Sequence, residues 1–128
     1  MPKIRHIAIV SSNREKPGEF YKQAFGMKQV QGEGGAIYLS DGSINLALNP
    51  HYAGRETGLY HFGFEVENGE KIVERLKKVN PNKLPKPRPN GRPYAETRGS
   101  DPDGNYFDIS EHGFSNVVPL GENKDKVN

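Results

Sequence analysis

Apolar and polar positions change period several times along the chain, and each change marks an element. Ile4 to Val10 alternates as a strand does. Ser11, Ser12 and Asn13 then offer caps for a helix from about Arg14 to Phe25, with Pro17 tolerated in its first turn and Gly26 as its stop. Short strands follow at Met27 to Gln31, Ala36 to Ser40 and Ser43 to Asn49, the last two joined by the hairpin signal Asp41-Gly42. The first half therefore reads βαβββ. Beyond the loop Pro50 to Gly58, Tyr60 to Val66 reads as a strand and Gly69 to Val79 as a helix ended by Asn80-Pro81. Lys83 to Arg92, rich in proline and lysine, is too broken for a strand and reads as a surface loop beside a cleft. Tyr94 to Arg98 and Asn105 to Glu111 read as strands joined by the turn Asp101-Pro102-Asp103-Gly104. From Phe114 onward no period remains, and residues 114–128 read as a tail.

The two halves repeat. A shift of 55 positions lays His61 over His6 and also matches Asn68 to Asn13, Glu70 to Glu15, Lys71 to Lys16, Glu74 to Glu19 and Lys77 to Lys22. Surface Glu and Lys are common on any helix, so the strand histidines and the Asn positions carry the comparison. The expected architecture is α+β, one domain over residues 1–113 made of paired βαβββ half-modules at about 3–49 and 59–113.

Composition narrows the chemistry. A length of 128 residues suits one core or two small halves sharing one. Hydrophobic residues at 33% with regular strand patterns argue for a folded, β-rich domain. The 18 basic and 16 acidic residues are intermixed except between Lys83 and Arg98, which argues against a nucleic-acid partner. With no cysteine, thiolate chemistry and disulfides are excluded, and a metal would need histidine and oxygen ligands, a set suited to iron, manganese, nickel or zinc. No apolar run approaches a signal core or a membrane span, so no membrane partner and a cytoplasmic location are expected.

Strand alternation sorts the candidate site residues. Ile7 and Ile9 oppose His6 and Ala8; Ile44, Leu46 and Leu48 oppose Asn45 and Ala47; Tyr60, Phe62 and Phe64 oppose His61 and Gly63; Phe107 and Ile109 oppose Tyr106 and Asp108. His6, Asn45, His61 and Asp108 thus share the face that does not pack under helices. A lone strand histidine is more often structural than a ligand. A repeated pair, each flanked by Ala or Gly on its own face, leaves room for a metal and a substrate, and Asp108 supplies the anionic third ligand. Glu111 is the runner-up carboxylate, set lower because alternation puts it with Phe107 and Ile109, and His112 is a further possibility. Tyr38 and Tyr106 fall on the cleft face, as substrate contacts or as wall packing; Arg92 and Arg98 could clamp an anionic group or simply solvate the surface.

The residues Ile-Arg-His-Ile-Ala-Ile around His6, Glu19-Phe20-Tyr21 with Phe25-Gly26-Met27, Tyr-His-Phe-Gly-Phe around His61, and Asp101-Pro102-Asp103-Gly104-Asn105 carry a resemblance. Over residues 3 to 113 the sequence resembles the glyoxalase, bleomycin-resistance and extradiol-dioxygenase superfamily, also called vicinal oxygen chelate proteins. The resemblance implies sheets curled into an open cup around one divalent metal, with the histidine ligands falling on His6 and His61. The family's glutamate, four positions after the turn glycine, falls on Asp108, one methylene shorter. Lactoylglutathione lyases carry a carboxylate where this chain has Asn45, and an amide cannot take a proton at neutral pH. Two histidines and one carboxylate instead resemble the family's iron dioxygenases. The implied enzyme is a dioxygenase acting with Fe(II) on a small oxygen-chelating substrate. The alternatives are a glyoxalase-like lyase or isomerase using Ni, Zn or Mn, and a metal-free, antibiotic-sequestering binding protein. A homodimer is the expected assembly.

Overall fold

A computed structural model describes residues 2–30, 35–51, 55–88 and 96–111. The expectations for Gln31, Arg92, Tyr94, His112 and the tail 114–128 lie outside the described residues. Strands β1 (Lys3–Ser11), β2 (Lys28–Val30), β3 (Ile37–Ser40), β4 (Asn45–Pro50), β5 (Gly58–Glu65), β6 (Lys86–Pro87), β7 (Thr97–Ser100) and β8 (Tyr106–Ser110) form one mixed sheet in the order β2-β3-β4-β1-β5-β8-β7-β6. Helix α1 (Glu15–Phe25) follows β1 and helix α2 (Gly69–Val79) follows β5. Both helices lie within a residue of the bounds that the sequence pattern sets. Among the described residues no helix is long and apolar enough to cross a membrane.

Local chemistry explains the helix ends. Gly26 adopts φ 69° and its N–H bonds the Lys22 carbonyl at 3.0 Å, closing α1 in a left-handed conformation that suits glycine. At the other end of α1 the expected side-chain cap is not made: Arg14 occupies the cap position, and the entry is tightened by the Lys16 N–H reaching the Asn13 carbonyl. For α2 the Asn68 side chain does cap, accepting from the Lys71 N–H at 3.1 Å.

The segment from Lys83, expected to be too broken for a strand, in fact carries the two-residue β6, paired antiparallel with β7. Proline is admitted because β6 ends the sheet, where a missing N–H breaks no interior ladder.

The sheet buries one apolar cluster under each helix. Leu39, Leu46 and Leu48, with Ile7 and Ile9, pack against Tyr21 of α1; Val66, Phe107 and Ile109, with Phe62 and Phe64, pack against Ile72 and Leu76 of α2. Ile7, Ile9, Leu46, Leu48, Phe62, Phe64, Phe107 and Ile109 among them are residues that alternation assigns to the packing face. Among the described residues the opposite face carries no helix, yet Ala8, Asn45, Ala47 and Asp108 on it are at most 1% exposed. A flat open sheet would leave such a face wet, so the sheet curls over it, and this concave face holds the site.

The repeat is also visible in the strand pairing. β1 runs antiparallel to β5 with Ile7 opposite Phe62, the pair that the 55-residue shift exchanges, so a local two-fold axis passes there. Each strand breaks register once, between Ile4 and His6 on one side and between Ala8 and Ile9 on the other. The residues left over are Arg5 and Tyr60, again 55 positions apart.

Candidate functional site

Register places the chemistry in two adjacent rows across the concave face. One row runs Ser40, Asn45, His6, Gly63, Asp108, Arg98, Lys86 from β3 to β6; the next runs Tyr38, Ala47, Ala8, His61, Tyr106, Ser100. Gly63, with no side chain, lies between His6 and Asp108 in the first row, which opens space for the His61 ring in the second. His6, Asn45, His61 and Asp108 are thereby brought together, all four buried.

Their contacts form a chain. His6 Nδ1 donates to Asn45 Oδ1, because an amide oxygen can only accept, and this leaves the ring lone pair on Nε2. The His6 and His61 rings lie with centroids 5.2 Å apart. His61 Nε2 is 3.2 Å from Asp108 Oδ2, while its buried Nδ1 has no hydrogen-bond partner among the described residues. Asp108 is gripped by Arg98, whose Nε donates to Oδ1 at 2.6 Å and whose Nη2 donates to Oδ2 at 3.1 Å. The third arm of that guanidinium, Nη1, donates to the Tyr60 hydroxyl at 3.0 Å.

Burial sets the charges. Desolvation lowers the pKa of His6 despite the upward pull of Asn45 and Asp108. It lowers that of His61 to about 3, again against Asp108, with His6, Arg98 and Arg88 adding to the lowering. Both imidazoles are therefore neutral at physiological pH. Burial works against the charge on Arg98 as well, but its hydrogen bond and charge attraction to Asp108 prevail and raise its pKa.

The remaining candidates are dispersed. Tyr106, 44% exposed, stands at the lip of the concave face beneath the Arg98 guanidinium, and Tyr38 lies opposite Ala47 on the far side. Glu111 is away from the site, its Oε1 accepting the Gly69 N–H at 2.7 Å as a second cap on α2. Tyr60, assigned by alternation to the packing face, instead reaches Arg98 because it is the extra residue of the β5 bulge. Arg98, weighed only as a surface clamp, proves to be the partner of Asp108.

The donor set suits a divalent cation in kind: two neutral imidazoles and one carboxylate. It suits one in spacing too, since adjacent ligands on bonds of about 2.1 Å stand about 3 Å apart, close to the 3.2 Å between His61 Nε2 and Asp108 Oδ2. Arg98 is the qualification. Both Asp108 oxygens already accept from it, and among the described residues no three His, Asp or Glu side chains make a finished cation cage. The site fits a metal on condition that Arg98 shares or yields the carboxylate.

A profile of the Glyoxalase/Bleomycin resistance protein/Dioxygenase superfamily matches residues 3–109. The chain belongs to that superfamily. Solved structures agree on the fold. The hypothetical protein BH1468 from Bacillus halodurans C-125 superposes with TM-score 0.67 at 18% identity, over 86% of this chain and 94% of that one. The methylmalonyl-CoA epimerase from Mycobacterium tuberculosis does so with TM-score 0.67 at 16% identity, over 85% and 87%. The 2,3-dioxygenase LapB from Pseudomonas sp. KL28 gives TM-score 0.67 at 18% identity over 86% of this chain, which spans only 40% of LapB. At these identities the likeness is one of fold, and members of this fold include both epimerases and dioxygenases.

Proposed function

We propose that this superfamily member is a metal-dependent enzyme, of dioxygenase type, acting on a small oxygen-chelating substrate, with His6, His61 and Asp108 as the metal ligands. The observation that carries the reading is the convergence of two buried, neutral imidazoles on one buried carboxylate across the concave face. A metal held there supplies Lewis acidity, and as Fe(II) also redox chemistry, with coordination positions left open. The chain's own groups do the rest. Asn45 fixes the His6 tautomer, the curled sheet keeps water from the ligands, and Arg98 neutralises Asp108 or an anionic substrate oxygen. A cytoplasmic location and a homodimer belong to the same proposal; Phe20 and Phe25, exposed on α1, are apolar surface that a second copy would cover.

The test is elemental analysis and titration with Fe(II), Ni(II), Zn(II) and Mn(II) of the wild type beside His61→Ala and Asp108→Ala, followed by oxygen uptake with catechol-like and hydroxy-acid substrates. One metal per chain, lost in both variants, with oxygen consumed is the expected result. Metal binding with solvent deuterium entering the substrate and no oxygen uptake would transfer the proposal to a lyase or isomerase. A wild type that binds no metal sinks it. A second reading has its own support: Arg98 already supplies a cation at Asp108, as a metal-free binding cleft requires.

A further inference from the structure

Beside the site, lined by β6, β7 and the residues just before β6, lies a cleft of about 480 Å³. Four cationic side chains line it, Lys83, Lys86, Arg88 and Arg98, together with the polar Ser100 and Tyr106. None of the described residues that line it is acidic. The cleft continues the concave face: Lys86, Arg98 and Asp108 are successive members of one row, and Ser100, Tyr106 and His61 of the next. Arg98 forms the wall between the two. Its three bonds to Asp108 and Tyr60 use three of the five N–H groups a guanidinium carries, so donors are left for a ligand.

Like charges held around a concavity repel one another and are stabilised by an anion between them. Asp108 offsets Arg98, but Asp108 belongs to the site behind it, and among the described residues no acidic side chain lines the cleft to offset Lys83 and Lys86. We infer that this cleft is an oxyanion subsite, which holds a carboxylate or phosphate group of a small ligand while the rest of that ligand reaches past Arg98 toward His61. The enzyme's substrate would then be an anion. The inference names the substrate class of the proposed site and in that sense rests on that reading, although the subsite itself needs no metal.

The test is calorimetric titration of the metal-free protein with malonate and, separately, with pyrophosphate, for the wild type, Lys83→Gln/Lys86→Gln, and Lys77→Gln/Lys78→Gln. Lys83 and Lys86 are exposed, so their replacement leaves the fold intact, and the lysines of the last α2 turn serve as an equally charged control outside the cleft. Saturable binding of one probe, weakened about tenfold in the cleft variant and unchanged in the control, is expected, as charge-assisted contacts predict. The tighter probe tells carboxylate from phosphate. Non-saturable uptake of both, or equal weakening in cleft and control variants, overturns the inference. Metal titration separates the two claims: a cleft variant with normal metal binding and lost anion binding supports both, whereas a wild type that binds the anion but no metal removes only the metal.

Discussion

The Asp108 and Arg98 pair gives the most exacting test of how this site is built. The Asp108 side chain is 2% exposed and that of Arg98 18%, and the guanidinium meets both carboxylate oxygens. Asp108→Asn removes the charge, keeps the volume, and turns an amide N–H₂ toward other N–H donors. Breaking a buried pair costs about 3–5 kcal/mol. Because part of Arg98 can turn to water, the lower end applies, about 3 kcal/mol. For a chain of this length that is roughly a 10 °C fall in melting temperature. Arg98→Met leaves the carboxylate buried beside His61 alone and should cost a similar amount. In the double variant neither charge remains to be stranded, so its loss should fall short of the sum of the single losses by about 2–3 kcal/mol. Urea and thermal unfolding of the four metal-free proteins measure this coupling. A coupling below about 0.5 kcal/mol would refute the claim that the pair, rather than general packing, organises the site.

Three further outcomes follow from the same geometry. A Cβ added at Gly99 would stand 2.8 Å from Cζ of Phe107, so Gly99→Ala should lose about 1–3 kcal/mol of stability, and an unchanged urea midpoint would contradict that contact. Histidine in the unfolded chain titrates near 6.5 while folding holds His61 to about 3 and lowers His6, so the unfolded state binds extra protons below 6.5. Stability is then full above that pH and falls by several kcal/mol as pH drops toward 3; a urea midpoint flat from pH 7 to pH 4 would show the imidazoles are not held neutral. Glu111→Gln should cost about 0.5–1 kcal/mol at the start of α2 and leave metal affinity unchanged, whereas loss of metal would return Glu111 to the ligand set.

Much of this was legible in the chain, and what was missed has a definite cause. Alternation sorted His6, Asn45, His61 and Asp108 correctly because it needs only one strand at a time. Arg98 was within reach. The turn closes with the Asp101 N–H on the Asn105 carbonyl, and counting outward from it sets Ser100 against Tyr106, Gly99 against Phe107 and Arg98 against Asp108. Tyr60 was not within reach, since a bulge is a property of two paired strands and nothing in the local sequence Gly58 to Phe62 announces it. The α1 cap was misread because Ser11, Ser12 and Asn13 all suit the role by type, whereas in the fold the Ser11 Oγ accepts the Asn13 N–H and Arg14 stands at the cap position.

The two-fold repeat supplies the frame, and departures from it supply the chemistry. Register pairs Asn45 with His6 and Tyr106 with His61, so those two are counterparts; likewise Ala47, opposite Ala8, is the counterpart of Asp108, opposite Gly63. On the next strand out, Tyr38 faces Ala47 where Arg98 faces Asp108. The histidines are thus symmetric, but the ion pair exists in one half only, and its place in the other is held by a tyrosine over an alanine. A symmetric carboxylate would bring a second buried charge to the same space, which without a second arginine would be costly. With charge confined to one half, the site has a polar side that leads out past Arg98 into the basic cleft and a quieter side that ends at Tyr38. A ligand with one anionic end would therefore be bound in one direction only.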